Sequence, residues 1–289
     1  MNIFKYTIDL LFTMFNKPPK VLDIDETIDL IIDKKLSVSR YGDGEFDLAL
    51  QTNDIGFQKM NSELGERLQC VLNSDSPNLL VCVPKVFTHK DLKRMHYYAR
   101  RCWVRLLYKK RRRIYSVLDF SKVYGNAFIT RNYMDLEDKS GVSEYFKKIR
   151  RIWEQRDVVI IEGEYTRFGV GNDLLGNAKS IKRILCPAKD AFEKYNEILA
   201  TAKKIDKDSL ILIALGPTAS VLSYDLSECS YQAIDIGHLD IEYEWYLAGV
   251  QEKIGICNKW TNETNSVVDS TTDSLKDEEY TKSIISVID

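Results

Sequence analysis

The chain has 289 residues, 44% hydrophobic and 29% charged, with a formal net charge of −2, the profile of a globular protein able to bury a sizeable core. So balanced a charge gives no global electrostatic case for nucleic acid or an acidic partner. Six cysteines without a CxxC pair argue against a disulfide framework or a zinc site and fit a reducing, cytoplasmic compartment.

Residues 1–20 read as an N-terminal helical segment. Ile3, Phe4, Ile8, Leu10, Leu11 and Phe15 can line one side of it, Lys5 and Asp9 interrupt it, and it is too short to span a bilayer. It is expected either to dock on the domain or to lie on a membrane surface. Residues 21–258 form the expected domain. Apolar, β-branched runs predict strands over 36–41, 79–84, 157–162, 183–187, 210–215 and 231–236. Helical periodicity falls between them at 28–32, 64–72, 89–107, 142–153 and 191–202. This alternation predicts an α/β fold, a single Rossmann-like domain with a mostly parallel sheet flanked by helices, its active crevice at the carboxyl ends of the strands.

The stretch 90–113 is rich in Lys and Arg and ends in Lys109-Lys110-Arg111-Arg112-Arg113. It reads as a solvated helix face or, alternatively, as a peripheral dock on the anionic inner face of a membrane. Tyr97, Tyr98, Trp103 and Tyr108 interleave with the charges, but no RNA-binding motif accompanies them. Residues 259–289 read as a polar tail, a peripheral helix or partly disordered. No transmembrane helix is expected.

Four polar constellations each follow a predicted strand. The first is Arg40-Tyr41-Gly42-Asp43-Gly44-Glu45, where glycines allow close backbone approach to a ligand and Arg40 offers a fork donor to phosphate. The second, Glu162 to Asp173, contains Thr166, Arg167, Gly169, Gly171, Asn172 and Asp173 in an expected strand-to-helix loop; it is neither a Walker loop nor a dinucleotide fingerprint. The third, Gly216-Pro217-Thr218, suits a helix start with free amides. The fourth is Asp235-Ile236-Gly237-His238-Leu239-Asp240-Ile241-Glu242. Asp240 and Glu242 are expected to point the same way on an extended backbone, as hard oxygen ligands for Mg2+ or Mn2+.

In this order the four motifs resemble the bacterial glycosyltransferases of the GT-D fold, the DUF1792 domain, over roughly residues 20–258. The resemblance implies transfer of a sugar, glucose by default, from a UDP-sugar donor to a glycan acceptor in surface polysaccharide or glycoprotein assembly. It also implies a metal held through an Asp-x-Glu motif, matched here by Asp240 and Glu242, with Glu242 favoured as the direct ligand. The acceptor would be a glycoprotein or a lipid-linked oligosaccharide. Arg40 or Arg167 would hold the diphosphate, and the three glycine turns would shape the donor pocket. Asp43, Glu45 and His238 stand as unranked candidates for the catalytic base. Two other classes stay open: a metal-dependent phosphohydrolase, and a non-catalytic nucleotide-binding subunit of a glycan-synthesis complex.

Overall fold

The computed structural model describes residue 9, residues 11–261 and residues 278–289. Strands β1 (Lys20–Val21), β2 (Ser37–Arg40), β3 (Leu79–Val83), β4 (Val123–Asn126), β5 (Asp157–Gly163), β6 (Ser180–Cys186), β7 (Leu210–Ala214), β8 (Gln232–Asp235) and β9 (Ile284–Val287) form one sheet. Their order is β1-β4-β3-β2-β8-β7-β5-β6-β9, and every neighbouring pair runs parallel.

The expected parallel sheet flanked by helices is what the chain forms, because its central strands are apolar on both faces. Val159, Ile161, Ile211 and Ile213 enter one core, with helices α3 (Ser62–Leu72), α5 (Tyr97–Val117), α7 (Tyr195–Ala202) and α8 (Pro217–Glu228). Their alternates Val158, Ile160, Leu210 and Leu212 enter the other, with α1 (Ile24–Lys34), α6 (Val142–Ile149) and α9 (Leu239–Leu247). Helix α2 (Asp43–Ala49) opens directly after β2, α4 (His89–Lys93) precedes α5, and α10 (Glu278–Ser283) leads into β9.

The structure departs from the sequence expectations at five places. The helix expected over 89–107 is two helices. Its break carries a bridge from Met95 to Leu136 and a hydrogen bond from His96 N–H to the Asp135 carbonyl. Glu162 to Asp173 does not lead into a helix; residues 164–179 pass through turns straight to β6. Strands β1 and β4 escape a periodicity reading because two to four residues, with Gly125 inside β4, carry too little pattern. The tail expected to be peripheral supplies β9, paired with β6. Finally, Asp240 and Glu242 lie on α9, not on an extended backbone. Two residues on a helix subtend about 200°, so their side chains leave opposite sides. Within the N-terminal segment, residues 11–15 are helical, whereas Ile3, Phe4, Ile8 and Leu10 lie outside the described residues, as do 262–277 of the tail.

Strands β2 and β8 meet where the connections diverge, β3 and β4 building outward on one side and β7, β5 and β6 on the other. Such a switch point opens a crevice at the carboxyl ends. Their ladder consists of one registered pair, Val38 with Ile234. The joint is completed by side chains. Arg40 donates from Nη2 to Asp235 Oδ1 at 2.8 Å and from Nε to the Asp235 carbonyl at 2.9 Å. Ser220 of α8 donates to the Arg40 carbonyl at 2.7 Å and to Asp235 Oδ2 at 3.3 Å. Gly237 turns beneath this clasp with φ +48°, and a Cβ there would lie 1.8 Å from Arg40 Nη2. Only glycine fits.

Removing one member of a buried pair strands the other charge. Arg40→Met is expected to lower stability by about 3–5 kcal/mol, read as a lower urea midpoint with an unchanged slope. Arg40→Met combined with Asp235→Leu should recover most of that loss. An additive double variant would show that the pair does not act as a unit.

Candidate active site

A cleft of about 1140 Å³ opens at the carboxyl ends of the strands. After β2 it takes Arg40, Gly42, Asp43, Gly44 and Glu45; after β4, Phe128, Arg131 and Asp135. Thr166 comes from the loop after β5, Gly216 from the turn after β7, and Gly237, His238 and Asp240 from the turn after β8. Phe57, the α5 residues Tyr98, Trp103 and Leu106, and Trp260 close the sides.

The three helices that directly follow β2, β7 and β8 begin at this cleft, and their N-terminal turns differ in charge. Helix α2 carries Asp43 and Glu45 in its first turn and α9 carries Asp240 and Glu242, whereas α8 carries no acid there. The α8 entry is tightly built. Gly216 has φ +53° and packs so close to Phe57 that a Cβ would fall 2.2 Å from the ring, while Pro217 fixes the first helical position. Thr218 lies beneath the surface against Gln58, so it supports the turn and does not line the cleft.

Glu45 accepts from Gly42 N–H through Oε2 at 2.7 Å. Burial and the nearby Asp235 push its carboxyl up to about 7. Asp43 is exposed at the rim. His238 caps α9 with its ring edge-on to Trp245, centroids 5.5 Å apart.

The acidic residues of α9 divide between two environments. Asp240 faces the cleft, accepting from Lys259 Nζ at 2.7 Å and Asn172 Nδ2 at 2.8 Å. Glu244 shares both donors, each at 2.7 Å. Burial pushes the Asp240 carboxyl up, and the Lys259 ammonium opposes that shift. Glu242 is fully buried behind the cleft wall. Its Oε2 accepts the amides of Tyr133 and Met134 at 2.9 and 2.8 Å, while its Oε1 has no hydrogen-bond partner. Burial and the nearby Asp135 push its carboxyl up to about 7.

Several residues expected to contact the donor do other work. The Arg40 guanidinium is held by Asp235 and the Ala127 carbonyl, which leaves it a clasp and not a fork for phosphate. Arg167, with φ 49°, stacks over Tyr280 4.5 Å from the ring centroid and lies outside the cleft lining. Gly169 and Gly171 also lie outside it. Asn172 buttresses Asp240, and Asp173 binds the Tyr243 hydroxyl and Arg150. The loop after β5 thus contributes Thr166 and Phe168 and otherwise supports the wall. Among the described residues no three His, Cys, Asp or Glu side chains converge as a metal cage.

Sequence reasoning missed Phe57, Arg131, Asp135, Lys259 and Trp260. Arg131 and Asp135 follow β4 and the short run Ala127-Phe128-Ile129-Thr130, which carries no motif that would mark them. Lys259 and Trp260 begin the stretch read as tail. A second cavity of about 930 Å³ shares Phe128, Arg131 and Asp135 with the cleft and is walled by charges of both signs, including Asp25, Lys148 and Arg151.

Residues 38–264 match the family profile described as "Glycosyltransferase GT-D fold". The Streptococcus gordonii protein "Probable glycosyl transferase Gly" is 40% identical over 251 residues, 85% of this chain and 36% of that protein. "Glycosyltransferase GlyD" of Streptococcus pneumoniae serotype 4 is 39% identical over 279 residues, 95% of this chain and 34% of that one. The chain spans about a third of the length of these curated relatives. A solved structure described as "The highly conserved domain of unknown function 1792 has a distinct glycosyltransferase fold" superposes with a TM-score of 0.87 at 43% identity, covering 94% of this chain and 96% of that one. Another, "A New Glycosyltransferase (DUF1792) from Streptococcus sanguinis", gives 0.88 at 38% identity, covering 94% and 100%. The chain belongs to the GT-D family of glycosyltransferases.

Lys259 neutralises two carboxylates in a buried setting. Lys259→Met should destabilise the fold by about 3–5 kcal/mol near neutral pH. Burial already holds the Asp240 carboxyl above its unfolded value, and without the ammonium it rises further. The loss is therefore full above that raised value and shrinks as pH falls through it. Urea unfolding at about pH 8 and about pH 5 checks this, and a pH-independent loss would contradict it.

Proposed function

We propose that this domain transfers a sugar, glucose by default, from a UDP-sugar to a hydroxyl of a glycan acceptor, with Mn2+ or Mg2+ assisting, in bacterial surface polysaccharide or glycoprotein assembly. The observation that carries the reading is the division of charge among the three helix starts. The acid-free start of α8 at Gly216 offers the positive end of a twelve-residue helix to an anion. The carboxylates of α2 and α9 flank that position. A diphosphate seated there faces Asp240, and a divalent cation between them would offset the repulsion. The donor base and the sugar follow from the family resemblance.

The side chains suit a sparse oxygen site more than a cage. Magnesium-type ions are commonly held by one or two carboxylates plus substrate phosphates. Glu242 supports that role with a buried oxygen lacking a hydrogen-bond partner, and two charged groups that act on it, Asp135 and Arg131, line the cleft. Asp240, whose side chain leaves the other side of α9, would act on the ion through its charge from the cleft wall and not as a second ligand beside Glu242. Bound there, the ion would stabilise negative charge on the departing diphosphate.

In the transfer, an acceptor oxygen bonds to the anomeric carbon as that carbon's bond to the diphosphate oxygen breaks, and the hydroxyl proton passes to a base. Glu45 is our choice, because it lines the cleft, keeps one oxygen outside its cap to Gly42, and titrates near neutrality. The adjoining cavity beyond Arg131 and Asp135 offers an acceptor polar groups of both signs.

A thermal-shift series with UDP, GDP, CMP and NAD, each with Mn2+ or EDTA, tests the donor and the ion. UDP at about 100 times its dissociation constant should raise Tm by roughly 5–10 °C, an effect lost in EDTA and in Glu242→Gln. An equal shift in EDTA would remove the metal, and a shift only with another nucleotide would change the donor. No shift with any of them, alongside acceptor-independent release of phosphate, would favour a phosphohydrolase. The rate should rise as pH passes through about 7, when Glu45 loses its proton, and Glu45→Gln should lower turnover by roughly 10²–10⁴-fold. A limb near pH 7 that persists in Glu45→Gln would assign the base elsewhere.

A further inference from the structure

Helix α5 contains no Asp or Glu, and its faces separate by role. Leu107, Arg111 and Ile114 are buried, while Tyr98, Trp103 and Leu106 line the cleft. Arg101, Arg105, Lys109 and Arg112 are exposed and fall at i, i+4, i+8 and i+11, a single stripe along the helix. Lys110 and Arg111 pair with Asp47 and Asp9, but none of the four stripe residues forms an ion pair among the described residues.

The helical turn at residues 11–15 packs beside that stripe. The Phe12 ring meets Tyr115 edge-on at 5.4 Å, and the Arg112 guanidinium lies 5.4 Å from the Phe12 centroid. In this pose Leu11, Met14 and Phe15 face solvent at 49%, 71% and 82% exposure. Tyr97 and Tyr98, at the start of α5, are also exposed.

We propose that this face docks the protein on an anionic lipid surface, the basic stripe against the headgroups and Leu11, Met14 and Phe15 entering the acyl boundary. Both halves of the surface point to lipid. An uncompensated row of cations suits any polyanion, but adjacent exposed apolar side chains gain only where hydrocarbon lies beneath the charge. Interfacial tyrosines fit the same depth. Since α5 also walls the cleft, docking would hold the mouth close to the membrane, within reach of a lipid-linked acceptor. The surface itself does not depend on which donor is used.

The full chain should be sedimented with phosphatidylcholine vesicles containing about 30 mol% phosphatidylglycerol, and with phosphatidylcholine alone, at about 20 mM and about 300 mM salt. Binding is expected only to the anionic vesicles, falling at least roughly tenfold at the higher salt. Arg101→Glu/Arg105→Glu/Lys109→Glu should abolish it, and Met14→Ser/Phe15→Ser should weaken it roughly tenfold. All five positions are exposed and outside the cleft, so both variants should melt with the wild type and keep its basal turnover on a soluble acceptor. Failure of the wild type to bind at low salt would overturn the proposal, as would undiminished binding by the charge-reversed variant. Unchanged binding by Met14→Ser/Phe15→Ser would overturn the lipid assignment and leave a stripe for soluble polyanions.

Discussion

The clasp between Arg40 and Asp235 is the constraint on which the cleft depends. Strands β2 and β8 share one registered ladder pair, so backbone hydrogen bonding alone holds the two halves of the sheet weakly at this point. An ion pair with its aspartate buried, tied by Ser220 to α8, fixes the separation. From that junction α2, α8 and α9 set out with their starts on one cavity. Gly237 belongs to the same constraint, since any side chain there would displace the guanidinium. A charge that sequence inspection assigns to a ligand is consumed in building the place where the ligand would sit.

A second consequence concerns the acids. Asp240, Glu242, Glu244 and Glu45 are carried by helices that begin at the crevice, where carboxylates are costly unless satisfied. The protein satisfies them unequally. Lys259 and Asn172 neutralise and orient Asp240 and Glu244, two backbone amides hold one oxygen of Glu242, and Glu45 caps its own helix. The raised pKa values of Glu45, Asp240 and Glu242 follow from burial, as they do at many active sites, and the first two of these groups share the cleft with the acid-free start of α8.

Helix α5 connects this chemistry to the surface. Its apolar and aromatic residues close the cleft while its charges face outward, so one element of twenty-one residues presents both a wall of the site and a cationic exterior. A helix can do this because its faces are about 100° apart per residue, and three roles fit around one circumference.

The sequence by itself determined the layered α/β class, six of the nine strands and the segments that follow them, because strands buried on both faces must be continuously apolar and turns near ligands draw on glycine. It also marked Gly42, Gly44, Thr166, Gly216, Asp43, Glu45, His238 and Asp240, all of which line the cleft. It did not determine where the charges point. Arg40 and Arg167 read as phosphate ligands until tertiary contacts with Asp235 and Tyr280 are known, and a pair spaced by two converges on a strand but diverges on a helix. Short strands such as β4 and β9 carry no period of their own; their neighbours in the sheet create them, and with them come Arg131 and Asp135. Lys259, polar and 19 residues along the chain from Asp240, becomes part of the site only when the chain folds back. Periodicity records which faces are buried, whereas the partner of a buried charge is chosen by the packing of distant segments, and that choice exists only in three dimensions.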